Sequence, residues 1–320
     1  MDNTTRSYFS KRWQKLLKIT KVPPDVPVLL QNHPFVEKFS RQVGLDVERS
    51  LWNFATISNP RALISRQNLG NIILATLSND LPLHYYQGFH EVAETVLLTT
   101  NNPALCYTIM CKISSYHLRH FLLPEFDVTI QYLSFVSNFL WSLDPQLAKF
   151  LESSNHEPPL FTVSWVLTWF SHVIESLKVR QNMIDFFLVS HPLAPAVVSA
   201  LVIKRKRKIL LSMDPDFTQV HALFTKLDDT VPWTNLIDQA SEILEDRTML
   251  TQMIDETNIS AELRRCLKSF PYSYNSEVVD ISQSKLDDSS NNQVTFISTV
   301  LSALLIGGLS TAAILLNKSS

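Results

Sequence analysis

Glycine is scarce in this sequence, and its scarcity excludes whole classes of protein. The 320 residues include five glycines, of which three, Gly44, Gly70 and Gly88, precede position 294. A chain of this size carries about twenty on average. Phosphate-binding loops, nucleophile elbows and tight hairpins all depend on glycine, because its backbone turns where other residues are strained. We therefore expect neither a nucleotide-binding α/β fold nor an α/β hydrolase, and no nucleotide held by the chain itself.

Cysteine is also sparse, and no secretory leader is visible. The three cysteines, Cys106, Cys111 and Cys266, form an odd set that suits a reducing compartment and core positions better than disulfides. Lys and Arg interrupt the N-terminal segment, so the continuous apolar region of a signal peptide is missing. Both features predict a domain that faces the cytosol.

No residue pattern predicts a metal centre. His90-Glu91-x-x-Glu94 has part of a zincin helix, but Glu94 stands where the second metal-binding histidine is required. Four further candidate ligands on one predicted helix point in directions too scattered to converge: Cys106, Cys111, His117 and His120. We expect these cysteines in the core, these histidines partly exposed, and no metal bound.

One dense block of charge interrupts a chain whose formal net charge is −2. Residues 204–208 are all Lys or Arg. The net charge and the apolar run near the C-terminus disfavour nucleic-acid binding. A solvated helix face is the expected role of this basic block. Contact with anionic lipid head groups, at about 1 kcal/mol per basic residue, is the alternative.

The longest uncharged apolar run lies at residues 294–316. As a helix, these 23 residues would extend roughly 35 Å, against a hydrocarbon core of about 30 Å. Because few residues follow the run, we expect a tail anchor that inserts after synthesis. Its small residues, such as Gly307 and Gly308, would allow a weak homodimer through the membrane helix. The polar stretch 271–293 has no periodicity and is expected to be a flexible linker.

Helical periodicity recurs through the rest of the chain and predicts an all-α fold. Apolar residues repeat every four positions at Phe35, Phe39, Val43, Val47 and Leu51. A second apolar stripe begins at Phe89. Further helices are predicted at 68–77, 104–122, 128–143, 161–177, 182–188 and 236–244. Two apolar stretches, 161–174 and 193–203, are too short to span a membrane and are expected to be buried core helices.

Two short motifs carry the sharpest functional signal. Asp46 and Arg49 are spaced to pair on one helix, and Arg49 lies about 200° around that helix from Val47, away from the apolar stripe. Tyr85-Tyr86-Gln87-Gly88 then precedes a predicted helix, where the positive end of the helix dipole and the missing Cβ of glycine favour an anion. Taken separately, the first motif is an ordinary surface ion pair and the second a capped helix start.

Together, these motifs resemble those of a known family. Val43-x-x-Asp46-x-x-Arg49, followed by Tyr85-x-Gln87-Gly88, is similar to the paired IxxDxxR and YxQG motifs of TBC-domain Rab GTPase-activating proteins. Further pieces within residues 10–250 agree with that family: Trp13, the aromatic stretch 164–170, Asp185 and His191-Pro192. The sequence HYYQGFHE at residues 84–91 and the expected tail anchor most resemble the subgroup anchored in the endoplasmic reticulum, which acts on the Rab of ER-to-Golgi transport.

The resemblance implies a two-lobed helical TBC domain over residues 1–270 and a mechanism in trans. Arg49 would enter the nucleotide site of a GTP-loaded Rab, and Gln87 would position the attacking water. Asp46 would hold Arg49 extended, and Gly88 would let the start of the helix approach the phosphates. Tyr85 would be a further supporting or partner-binding residue. The Rab would hold GTP and magnesium. The chain would therefore be a GTPase activator with no cofactor of its own, in the membrane of the endoplasmic reticulum.

Two other interpretations stay open. One is a membrane-anchored scaffold that binds a GTP-loaded Rab without accelerating hydrolysis, although a pure binder needs neither Arg49 nor Gln87. The other is a helical tether with a tail anchor. A tether of this kind would show coiled-coil heptads next to the apolar run, and residues 271–293 contain none.

Overall fold

The computed structural model describes residues 3–27, 29, 34–50, 60–79, 83–124, 126–227 and 230–274. These residues form α-helices and short 3₁₀ turns, and no strand occurs among them. The predicted all-α class is confirmed. In chain order the helices are α1 Asn3–Leu16, α2 Pro34–Arg49, α3 Pro60–Ser78, α4 Phe89–Thr100, α5 Pro103–Ser115, α6 Asp127–Leu143, α7 Pro145–Ser153, α8 Val163–Leu167, α9 Leu177–Val189, α10 Ala194–Arg205, α11 Arg207–Leu210, α12 Phe217–Thr225, α13 Trp233–Glu245, α14 Arg247–Glu256 and α15 Ala261–Lys268.

The chain divides into two compact units. Unit 1 contains Met1–Pro124 and Ser176–Leu188, and the chain enters it again at Tyr272. Unit 2 contains Glu125–Glu175 and Val189–Pro271. Helices α1 to α5 and nearly all of α9 therefore belong to unit 1, and the remaining helices belong to unit 2.

In unit 1, the apolar stripe of α2 faces the core. Phe39, Val43 and Val47 are 1%, 1% and 6% exposed, as the four-residue repeat predicts. The side chain of Phe35 and the whole of Leu51 lie outside the described part. Helix α2 packs on α3, and α3 packs in turn on α4 and α5. The predicted core placement of the α5 cysteines is confirmed, since both are buried: Cys106 and Cys111.

The predicted helix over 104–122 ends early, and its histidines are more buried than expected. Helix α5 stops before Tyr116, whose φ of −123° and ψ of −69° leave the helical region. His117 and His120 are only 3% and 1% exposed, so the expectation of partial exposure is wrong. The ring of Tyr272 covers His117 at a centroid distance of 4.7 Å. A segment 155 positions away supplies this cover, so local periodicity could not predict it.

In unit 2, α10 lies at the centre of the packing. It contacts α6, α8 and α13, and every residue from Ala194 to Ile203 is buried. This confirms the prediction that 193–203 is a buried core helix. An aromatic cluster fills space beside it: the stacked rings of Phe161 and Phe224 lie 4.5 Å apart, and Trp165 meets Phe224 edge-on at 5.8 Å.

The prediction of one helix over 161–177 is wrong. Helix α8 ends at Leu167, and Trp169 and Phe170 adopt left-handed backbone with φ of 48° and 62°. This conformation costs an ordinary residue roughly 1–2 kcal/mol. Both side chains are almost fully buried, and the burial of two large aromatic rings offsets that cost. Here the apolar run correctly indicates burial, but it does not indicate a helix.

The basic block 204–208 does not form one continuous helix face, contrary to the expectation from the sequence. Helix α10 ends at Arg205, Lys206 caps it, and α11 starts at Arg207. The Arg207 Nε donates a hydrogen bond to Asp144 Oδ2 at 2.6 Å, so that side chain is held against the start of α7. Arg205 and Lys208 remain exposed.

The expected membrane span, 294–316, lies outside the described residues, as does most of the expected linker. Over the ranges that the structure describes, none of the helices combines the length and the apolar character needed to cross a bilayer. The weak homodimer expected from the same run is likewise outside them.

Candidate functional site

The C-terminal turn of α2 carries an exposed arginine, Arg49, that is paired with a buried carboxylate, Asp46. Asp46 is 2% exposed, whereas the Arg49 side chain is 53% exposed. Three positions apart, they share one side of the helix, and Arg49 Nη2 donates a hydrogen bond to Asp46 Oδ1. The predicted pair is therefore present, but only its arginine lies at the surface.

Tyr85 fixes the buried carboxylate from the other side. Its hydroxyl donates to Asp46 Oδ2 at 2.7 Å across 39 positions of sequence. Burial is the main cause that raises the pKa of Tyr85 well above its usual range, and Asp46 adds to it. The phenol therefore keeps its proton and remains a donor. Each Asp46 oxygen accepts from one donor, and the end of α2 is thereby tied to the segment that leads into α4.

Gly88 makes the turn at which α4 begins. Its φ of 105° and ψ of −20° lie in a region that residues with a Cβ rarely adopt, which explains glycine at this position. The turn is closed by Phe89 N–H donating to Tyr86 O at 3.2 Å and by Glu91 N–H donating to Gly88 O at 3.0 Å. His90, in the first turn of α4, is 3.8 Å from Asp46 Oδ2, so the positive end of the α4 dipole lies near this carboxylate.

Gln87 differs from Arg49 in exposure. The residue is only 7% exposed and stands between the buried Tyr86 and Gly88. The structure therefore brings Gln87 to the same turn as Tyr85, two positions along the chain, but does not present its side chain to solvent as it presents Arg49.

His90 also belongs to this cluster, although sequence reasoning considered it only as part of a zincin-like pattern. Its Nδ1 is 3.3 Å from the Tyr85 hydroxyl oxygen and 3.8 Å from Asp46 Oδ2. Its Nε2 is 4.0 Å from Glu91 Oε1. The sequence feature that could have indicated this role is the position of His90 in the first turn of α4, directly after the glycine turn. Within the described ranges, no three His, Cys, Asp or Glu side chains are arranged as metal ligands.

A second pair of sequence pieces that the resemblance singled out also meets in unit 1. Arg12 Nε donates to both carboxylate oxygens of Asp185, at 2.7 and 2.9 Å, and the indole N–H of Trp13 donates to Asp185 Oδ1 at 3.2 Å. The hydrogen bond to Asp185 is the main cause that raises the pKa of Arg12. These bonds join α1 to α9, which are 172 positions apart at Trp13.

Comparison with solved structures identifies a similar fold. The crystal structure of the Ypt/Rab-GAP domain of Gyp1p matches with a TM-score of 0.57, over 76% of this chain and 81% of that one. The sequences are only 12% identical, so this likeness concerns the fold alone.

Comparison of sequences identifies relatives. TBC1 domain family member 20 from Bos taurus is 33% identical over 240 residues, which are 73% of this chain and 57% of the relative. The human protein of that name is 32% identical over 239 residues. GTPase-activating protein gyp10 from Schizosaccharomyces pombe is 31% identical over 201 residues, 61% of this chain and 52% of that protein. The match thus spans little more than half of each relative's length.

The sequence model of one family, described as Rab-GTPase-TBC domain, matches residues 11–211, which is more than half of the chain. This range includes both motifs, the Asp46–Tyr85 bond that joins them, and Trp13 with its partner Asp185. The chain therefore belongs to the Rab-GTPase-TBC domain family.

Proposed function

We propose that this chain stimulates GTP hydrolysis by a Rab-family GTPase. The observation that carries the proposal is the half-exposed guanidinium of Arg49, held at its inner side by a buried carboxylate that Tyr85 fixes. A cation that is ordered before binding loses less entropy when it enters a partner's site. Family membership and the names of the relatives support the same activity.

Arg49 acts in trans on the transferring phosphoryl group. It enters the nucleotide site of the Rab and offsets charge that develops on the γ-phosphoryl oxygens, an effect worth about 10³–10⁵ in rate when an activator supplies it. The Rab holds GTP and its magnesium ion. The chain needs no phosphate-binding loop or cofactor for this role.

Gln87 positions the attacking water, and Gly88 allows the start of α4 to approach the phosphates. Because Gln87 is buried, its side chain has to turn outward when the complex forms. Rotamer changes of this kind are common at interfaces whose backbone hardly moves. The burial of Gln87 also favours a second candidate function, a scaffold that binds the GTP form of a Rab without stimulating it.

Single-turnover GTP hydrolysis by a panel of Rabs tests the proposal. We expect the full chain to stimulate at least one Rab, and Arg49→Ala and Gln87→Ala each to remove at least about two orders of magnitude of stimulation. Arg49→Lys should also lose stimulation, because a single ammonium group replaces the several N–H donors of the planar guanidinium. Arg41→Ala is the matched control, since Arg41 is an exposed arginine of the same helix.

The outcomes separate the two candidates. Loss with Arg49→Ala and not with Arg41→Ala supports the activator. Tight binding to the GTP form without stimulation by the parent chain supports the scaffold. If Arg49→Ala and Gln87→Ala both stimulate as strongly as the parent, the assignment of these two residues is wrong.

Residues 294–316 attach the activator to a membrane, in our proposal that of the endoplasmic reticulum on the ER-to-Golgi route. Confinement to the surface that carries the Rab raises the effective concentration of the activator without any new contact, and the linker sets its reach. Removal of residues 291–320 should leave catalysis in solution nearly unchanged but abolish selective action on one membrane in cells. Normal targeting of the shortened chain would count against the anchor.

A further inference from the structure

His90 lies where it can orient the residues that hold Arg49. It stands in the first turn of α4 and is 8% exposed. Its Nδ1 is within hydrogen-bond distance of the Tyr85 hydroxyl, at 3.3 Å, but is 3.8 Å from Asp46 Oδ2. The shorter contact is the bond, so His90 acts on the carboxylate through Tyr85.

Donor counting assigns the direction of each bond. A phenol has one proton, and a carboxylate can only accept. The Tyr85 proton is therefore committed to Asp46 Oδ2, at 2.7 Å. The only role left for the Tyr85 oxygen towards His90 is that of acceptor, which requires the proton of His90 to be on Nδ1.

We infer that His90 is a positioning residue for Arg49. The Nδ1–H of His90 holds the Tyr85 hydroxyl, which holds Asp46, which holds Arg49. This chain of bonds runs from the first turn of α4 to an exposed guanidinium on α2. The inference rests on the proposed function for its effect on rate, but the tautomer of His90 does not depend on that function.

Two amides distinguish the Nδ1 role from simple packing. The amide nitrogen of Asn reaches the place of Nδ1, whereas that of Gln reaches the place of Nε2. His90→Gln should lower the maximal single-turnover rate about five- to tenfold, the equivalent of one ordinary hydrogen bond, with little change in the half-saturating concentration. His90→Asn should restore most of that loss. His191→Gln replaces another buried histidine, in unit 2, and should affect only thermal stability.

A double-mutant cycle and a spectroscopic measurement complete the test. If His90 acts through Arg49, then His90→Gln causes no further loss of rate in the Arg49→Ala background. Nitrogen chemical shifts of ¹⁵N-labelled histidine should show Nδ1 of His90 protonated.

Three results would overturn the inference while leaving the activator role intact: equal losses for His90→Gln in both backgrounds, no rescue by His90→Asn, or a proton found only on Nε2. If the parent stimulates no Rab, the proposed function fails, and a proton on Nε2 would then overturn the bond assignment independently.

Discussion

Replacement of Tyr85 by phenylalanine should destabilise unit 1 through the loss of a single oxygen atom. The ring can stay where it is, edge-on to Phe89 at 6.4 Å, so little packing is lost. What is removed is the hydroxyl that donates to Asp46 Oδ2 at 2.7 Å. Hydrogen bonds to charged groups contribute about 1.5–3 kcal/mol, and Asp46 is too buried for water to replace the donor. We therefore expect the free energy of unfolding to fall by about 2 kcal/mol.

Tyr132 offers a matched control. Its hydroxyl donates at the same distance, 2.7 Å, to the backbone carbonyl of Pro192, and its ring is fully buried in unit 2. The acceptor is neutral, so Tyr132→Phe should cost about 1 kcal/mol. The chemical change and the length of the donated bond are the same in both variants. The difference between them therefore combines the charge on Asp46 with the bond that the Tyr85 oxygen accepts from His90.

Native-state hydrogen exchange is the appropriate assay, because amides of α2 and α6 report on the two units separately. Tyr85→Phe should raise exchange in α2 and lower stimulated GTP hydrolysis about tenfold, while Tyr132→Phe raises exchange in α6 and leaves hydrolysis unaltered. A cost for Tyr85→Phe no larger than that for Tyr132→Phe would refute the reasoning, because it would mean that Asp46 is not held as an ionised acceptor.

Three further predictions concern stability. Gly88→Ala should lower the free energy of unfolding by about 1–2 kcal/mol because of its φ of 105°, whereas Gly70→Ala, on a helix with nothing near the new Cβ, should raise it by up to about 1 kcal/mol; thermal unfolding would contradict this if both changes had the same sign. At Phe170, with φ 62°, glycine should be less destabilising than alanine, the reverse of the usual order, as urea titration can measure. Burial lowers the pKa of His117 to about 4, so the unfolded chain binds its proton first and unfolding becomes easier as the pH falls from 6.5 towards 4, at about 1.4 kcal/mol per pH unit; a pH series should show a shallower slope for His117→Gln.

The elements that the sequence predicted well are those in which local pattern and tertiary environment agree. The stripe of Phe39, Val43 and Val47 has helical spacing and faces the core, so α2 could be predicted with its buried side. The exposure of Arg49 followed from its angle around the same helix. The resemblance paired this motif with the one that contains Tyr85, but the bond between Tyr85 and Asp46 was not predicted.

The failures have a common physical origin in contacts between distant segments. An apolar run predicts burial, but buried residues can also form a turn. Trp169 and Phe170 have left-handed backbone conformations, and their rings are nevertheless packed in the core. The exposure of His117 depends on Tyr272, which reaches it from far along the chain. Neither outcome can be calculated from a window of neighbouring residues.

The candidate site shows the same dependence most clearly at Asp46. By helical spacing alone, its pair with Arg49 is a surface ion pair worth at most about 1 kcal/mol. Burial of the carboxylate under Tyr85 changes this, because an ionised acceptor removed from water has to keep its donors. Arg49 uses Nη2 for that bond, and a guanidinium has further N–H donors in a fixed plane. The guanidinium can thus be anchored through one nitrogen while its other nitrogens stay available for the proposed contact with a Rab. The same anchor depends on Tyr85, so it joins the motif on α2 to the motif that precedes α4.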